Sequence, residues 1–154
     1  MRITIIAVGK LKERWWRDAA DEYLKRMRPY ATVEVIEIPD RDVTGDEARA
    51  VAEEGAGILR ALDADSYVVA LDAAGTLQDS VGFSKELAEH GLSGRSHLTF
   101  VMGGSAGLAP DVRSRADAAM SLGRMTLPHQ LARVVLLEQL YRAFKIMRRE
   151  PYHR

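Results

Sequence analysis

His97-Leu-Thr-Phe-Val-Met-Gly-Gly-Ser-Ala-Gly-Leu-Ala-Pro110 decides the fold. Its first six residues are almost continuously apolar, the pattern of a strand buried on both faces of a parallel sheet. Three glycines follow within five residues, Gly103, Gly104 and Gly107, where a main chain can approach a ligand closely. Pro110 then suits the first turn of a helix, predicted over Pro110–Ala116. Strand, glycine loop and helix in that order make half of a βαβ unit.

The same alternation continues on both sides. Upstream, Ser66–Leu71 (SYVVAL) reads as another central strand, ended by a turn at Ala73–Gly75. Arg2–Val8 (RITIIAV) is a buried strand, and Thr32–Ile38 (TVEVIEI) alternates apolar with acidic, so one of its faces meets water. Helical spacing is predicted over Glu13–Met27, Asp46–Leu62 and Ser80–His90, with Gly55 and Gly57 weakening the second of these. Downstream come a short strand, Ala119–Leu122, and the longest helix, Pro128–Arg149. That helix is expected to bury Leu131, Val134, Val135, Leu137, Leu140, Tyr141, Phe144 and Met147 along one stripe. The order βαβαβαβαβα predicts an α/β domain over 1–154, a parallel sheet with helices on both faces. Ligands in such sheets bind beyond the carboxyl ends of the strands. Here those ends are Gly9, Leu71–Gly75, Gly103–Gly107 and Gly123–His129.

Composition narrows the chemistry. With no Cys, disulfides and thiolate metal sites are excluded, and no metal site is expected. No apolar run approaches the ~20 residues that span a bilayer, and the first residues lack a signal-peptide pattern. A cytoplasmic protein without a membrane partner is expected. Net charge is zero but segregated. Residues 1–30 hold eight Lys/Arg against four Asp/Glu, residues 31–90 four against fourteen, and residues 91–154 ten against four. Such segregation allows a basic face on a neutral protein, or merely acids decorating the solvent faces of the middle helices.

Three loops are candidates for chemistry. Val101–Pro110 has no Gly-Lys-Ser/Thr, so it is not a P-loop, and its glycine spacing is not that of a dinucleotide site. It suits a ligand that needs backbone hydrogen bonds and little charge. Asp72, ending a strand, either caps a turn or holds a ligand hydroxyl or amine. Ser121-Leu-Gly-Arg-Met-Thr-Leu-Pro-His129 is irregular yet mostly apolar, able to read an adenine edge through its backbone while Leu and Met cover the ring faces. His129, just after Pro128, reads as a simple surface residue, a lone His being more often structural than catalytic. The last stretch, Arg142–Arg154, carries five Lys/Arg beside Tyr152 and His153, cations and stackable rings that suit RNA as readily as a frayed basic tail.

Taken together, IAVGK at 6–10, IEIP at 36–39, Leu71-Asp72, FVMGGSAGL at 100–108, SLGRMTLPH at 121–129, LEQLYRA at 137–143 and PYHR at 151–154 resemble the bacterial ribosomal RNA large-subunit methyltransferase H family, a minimal branch of the SPOUT class. The resemblance runs the whole length, with small departures such as Ala73-Ala74. It implies a SPOUT-type α/β knot with a deep trefoil in the C-terminal half. It also implies S-adenosylmethionine held by Leu71, Gly103, Leu122, Gly123, Arg124, Met125, Thr126 and Leu127. The family is a homodimer in which one subunit's tail completes the other's site, and it methylates N3 of a pseudouridine in helix 69 of 23S rRNA on assembled ribosomes. Carried over to this chain, His153 is the best candidate for the base that takes the N3 proton. Arg142 and Arg154 are candidates for anion stabilisation or phosphate contact, and Tyr152 for stacking on the flipped base. The competing assignment leaves the tail only to position RNA, with proximity supplying the rate. Two other classes compete with this family: a ribosome-binding factor without catalysis, and a flavodoxin-like nucleotide protein, against which the single glycine of Gly9-Lys10-Leu11 argues.

Overall fold

A computed structural model describes residues 1–154. Its elements are β1 (Arg2–Val8), α1 (Arg14–Met27), β2 (Thr32–Ile38), α2 (Glu47–Ala61), β3 (Tyr67–Leu77), α3 (Ser80–Leu92), β4 (His97–Met102), α4 (Pro110–Arg115), β5 (Ala118–Ser121) and α5 (His129–Met147). The five strands form one sheet in the order β2-β1-β4-β3-β5, every pair parallel. No helix is long and apolar enough to cross a membrane.

Alternation along the strands builds the two cores. Ile3, Ile5, Ala7, Leu98, Phe100 and Met102 point to one face, where α1, α3 and α5 cover them. Ile6, Val8, Val68, Ala70 and Val101 point to the other, beneath α2 and α4. Helix starts follow local chemistry: Asp46 accepts from Arg49 N, Asp79 from Gly82 N, and Pro110 opens α4. The glycines of α2 are there for packing. A Cβ on Gly57 would stand 2.6 Å from Ile38 Cγ2, and one on Gly55 2.5 Å from the Ala109 methyl.

Three expectations need correction. The strand beginning near Ser66 does not end at Leu71. Leu71 and Thr76 both stand opposite Met120, so residues 72–75 bulge out of the ladder and pairing with β5 resumes afterwards. Pro128 sits just outside α5, as its N-cap, rather than at its first position. The buried stripe of α5 is also placed differently. The helix buries Arg133, Leu136, Leu137, Leu140, Ala143 and Phe144, whereas Leu131, Val134 and Val135 stay half-exposed on its outer side. A helix apolar on both sides defeats a periodicity reading, because the pattern no longer marks which side faces inward.

Candidate cofactor cleft and C-terminal tail

Three neighbouring strand ends, those of β4, β3 and β5, enclose a cleft of about 310 Å³, at the lower end of the usual range for small-molecule sites. Leu71, Asp72 and Ala73 come from the bulge of β3. Met102 ends β4 and Gly103, Gly104, Ser105 and Gly107 come from the glycine loop, while Met120–Gly123 and Met125–Leu127 come from the end of β5 and the segment after it. His129 and Ala132 of α5 close it.

The walls require glycine. A Cβ on Gly75 would lie 2.7 Å from the N and C atoms of Met120, so the bulge rests directly on the β5 backbone. A Cβ on Gly103 would collide with the Gly107 carbonyl. The glycine loop is a closed turn, with Gly107 N donating to Gly104 O at 3.1 Å. After β5, Ser121 Oγ donates to Gly123 O at 2.9 Å and accepts from Gly123 N at 3.2 Å, which tightens the entry to the 122–127 segment.

Electrostatically the cleft is nearly neutral, since Asp72 and His129 are its only ionisable lining residues. Asp72 is already engaged, accepting from Ala74 N at 2.9 Å and pairing with Arg113 Nε at 2.8 Å. The turn-capping alternative for Asp72 is therefore what the fold uses. Burial, then the charge of Arg133, depress the pKa of His129 against the opposing pull of Asp40, Glu54 and Glu13. The imidazole is accordingly neutral at neutral pH. Such a cavity has apolar surfaces at Leu71, Met102, Leu122 and Leu127 and is rich in main-chain polar groups. It suits a heterocyclic ligand held by apolar contact and main-chain hydrogen bonds rather than by charge.

Of the eight predicted cofactor positions, Leu71, Gly103, Leu122, Gly123, Met125, Thr126 and Leu127 line the cleft together. Arg124 does not; its side chain lies outside the lining. His129, expected as ordinary surface, instead forms a wall. Its place at the first turn of α5, beside the candidate loop, was the available signal.

The tail lies elsewhere. Arg142 pairs with Glu138 at 2.5 Å and contacts His153 Nδ1 at 3.3 Å, and Tyr152 OH donates to Glu138 Oε1 at 3.1 Å. The Tyr152 ring packs edge-on against Tyr141, with the Arg142 guanidinium 4.7 Å from its centre. Burial first, then hydrogen bonding with Tyr23 and Glu138, push the Tyr152 phenol up. Arg142, Tyr152 and His153 are thus gathered around Glu138, while Arg154 has no ion pair. Their anchor, Glu138, is nine residues beyond His129, or ~13 Å along the helix axis, and none of residues 142–154 lines the cleft. Within one chain the tail and the cleft do not meet.

Comparison with known proteins agrees with this architecture. A family model described as "Predicted SPOUT methyltransferase" matches residues 1–153. The chain is 50% identical over 159 aligned residues to the ribosomal RNA large subunit methyltransferase H of Carboxydothermus hydrogenoformans, covering all of both chains. To the protein of the same name from Shouchella clausii it is 45% identical, again over the whole of both. Two solved structures share the fold at 14% identity. TrmJ from Z. mobilis ZM4 superposes with a TM-score of 0.59, covering 100% of this chain and 73% of that one. A probable methylase family protein from Haemophilus influenzae Rd KW20 gives 0.57, covering 99% and 70%.

Proposed function

The chain belongs to the SPOUT methyltransferases, in the ribosomal RNA large subunit methyltransferase H family, and from that premise we propose that it methylates N3 of a pseudouridine in helix 69 of 23S rRNA on assembled ribosomes, using S-adenosylmethionine. One observation carries the reading: three strand-end loops converge on a cleft with no unpaired charge. When bound, S-adenosylmethionine supplies a methyl group already activated by the sulfonium charge. The chain's part is to hold it. Leu71, Met102, Leu122 and Leu127 offer apolar contact to the adenine. The main chain at 103–107 and 121–127 offers hydrogen bonds, and neutral His129 adds no repelling cation. A trefoil knot in the C-terminal half, which membership of the family implies, belongs to the same reading.

A homodimer completes the site in this reading. The outer side of α5 presents Leu131, Val134 and Val135 half-exposed, and Trp15 at the start of α1 is 65% exposed. An apolar surface of this kind suits burial against a second copy. The tail, remote from its own cleft, then serves the other subunit's. There Tyr152 stacks on the target base, Arg142 and Arg154 stabilise the developing imide anion or hold phosphate, and His153 accepts the N3 proton. The protein works in the cytoplasm, where ribosomes are.

The decisive experiment is mass mapping of 23S rRNA from cells with and without the gene. Loss of one methyl group at the helix 69 pseudouridine is expected, and unchanged rRNA would refute the assignment. Calorimetry with S-adenosylhomocysteine separates the enzyme from a ribosome-binding factor without catalysis. Micromolar binding is expected of the former only.

A further inference from the structure

A second cavity, about 640 Å³, opens between the loop after β1, one flank of α1, the edge strand β2 and α5. Its floor is apolar, formed by Ala20, Leu24, Val35 and Leu137. Arg133 stands in the wall, only 2% exposed. It donates from Nη1 to Glu37 at 2.7 Å and from Nη2 to Gly9 O at 2.7 Å, while its Nε is buried without a partner. A buried donor on a charged group is costly to leave unpaired. The rim carries Lys10, Lys12 and Arg17, all exposed. None of the three is paired with an acid; Arg17 reaches only the carbonyls of Leu11 and Lys12. Against these four cations the lining holds two acids, Asp21 and Glu37, and Glu37 is taken by Arg133.

Gly9 and the first turns of α5 lie between this cavity and the cofactor cleft. Gly9 accepts from Arg133 on one side, and on the other a Cβ at Gly9 would lie 3.5 Å from His129 Nε2. His129 and Arg133 are one helical turn apart on α5. We propose that the larger cavity is a separate binding site for the phosphodiester backbone of the RNA strand that carries the target base. The inference rests on the RNA methyltransferase reading and adds where the strand lies: on the far side of Gly9 and Arg133 from the reactive cleft. Three rim cations without acid partners favour a polyanion. No aromatic side chain lines the cavity to stack on a base, so the site holds backbone and contributes position rather than sequence preference. An acidic protein segment is the competing occupant.

The test uses full-length protein, intact ribosomes and a Lys10→Ala/Lys12→Ala variant, with Arg17→Ala as an independent second. Ribosome binding is measured over a series of KCl concentrations, and S-adenosylhomocysteine binding by calorimetry. The double variant is expected to bind ribosomes about tenfold more weakly at low salt. Its slope of log affinity against log salt should be shallower by ~1.4, at about 0.7 for each single-strand phosphate that is no longer neutralised. Binding of S-adenosylhomocysteine should stay within twofold. Poly-uridylate should compete for wild-type protein and poly-glutamate should not. An unchanged salt slope in both variants, or competition by poly-glutamate alone, overturns the proposal. Should wild-type protein bind neither S-adenosylhomocysteine nor ribosomes, the underlying methyltransferase reading fails instead.

Discussion

Arg113 of α4 reaches across the glycine loop's far side to Asp72 at the start of the β3 bulge, Nε to Oδ2 at 2.8 Å. Asp72 is thereby consumed twice, since its other oxygen accepts from Ala74 N. The carboxylate lines the cleft yet acts as a brace for the loop that forms it. Asp72→Ala is expected to change global stability little, by about 1 kcal/mol, because Arg113 is half-exposed and the pair is screened. Affinity for S-adenosylhomocysteine should fall about tenfold as residues 72–75 loosen. Urea unfolding and calorimetry on the same sample check both halves.

The bulge has a second dependence, on the absent side chain of Gly75. With Met120 backbone atoms at 2.7 Å from a Cβ, Gly75→Val has no flexible neighbour to push aside. Overpacking of this kind costs ~1–3 kcal/mol. The midpoint of urea unfolding should drop accordingly and cofactor binding should be abolished. A variant as stable and as tight-binding as wild type would show that β5 can move away.

Removing residues 151–154 tests the tail directly. Turnover on ribosomes should vanish while S-adenosylhomocysteine affinity stays within twofold. His153→Ala should do the same in milder form, with kcat lowered at least tenfold. If the tail serves the second copy, mixing tail-less subunits with Gly75→Val subunits restores activity through one mixed site. Absence of restoration under conditions that exchange subunits would place the tail's action within its own chain.

His129 makes the protein sensitive to pH in a defined direction. Its folded pKa lies below the ordinary 6.5, chiefly through burial and then Arg133. The unfolded chain therefore takes up the proton first. Stability is fully present above about pH 6.5 and declines as pH falls toward the folded pKa. His129→Gln should flatten that part of the stability profile. Protonation also places a cation beside the cleft, so as pH falls through the folded pKa S-adenosylmethionine, with its sulfonium, should lose more affinity than S-adenosylhomocysteine does. Parallel losses for the two ligands would show that the charge on His129 is not felt in the cleft.

Arg133 is the buried charge with most at stake. Arg133→Met leaves the Gly9 carbonyl and Glu37 without their 2.7 Å partner. Breaking a buried pair from one side costs ~3–5 kcal/mol. The lower end is expected here because Glu37 is partly exposed. Denaturant unfolding measures it.

The order of strands and helices, the parallel sheet and the three loops of the cleft were legible in the chain itself. Each is written locally: apolar runs at 66–71 and 97–102, alternation at 32–38, glycines and a proline where the backbone must turn. The loops that hold seven of the eight positions implied by the family resemblance come together, because loops at neighbouring strand ends converge in any such sheet. Tertiary structure alone decided the rest. It extended β3 past its bulge because Met120, far along the chain, supplies a backbone for Gly75 to rest on. It turned Leu136 inward and left Leu131, Val134 and Val135 outside, a choice that the apolar pattern of α5 does not encode. It buried Arg133 against Gly9 and Glu37, residues 124 and 96 positions away, and laid the tail on α5 and α1 rather than at its own cleft. These are contacts between distant segments, and periodicity carries information only about neighbours.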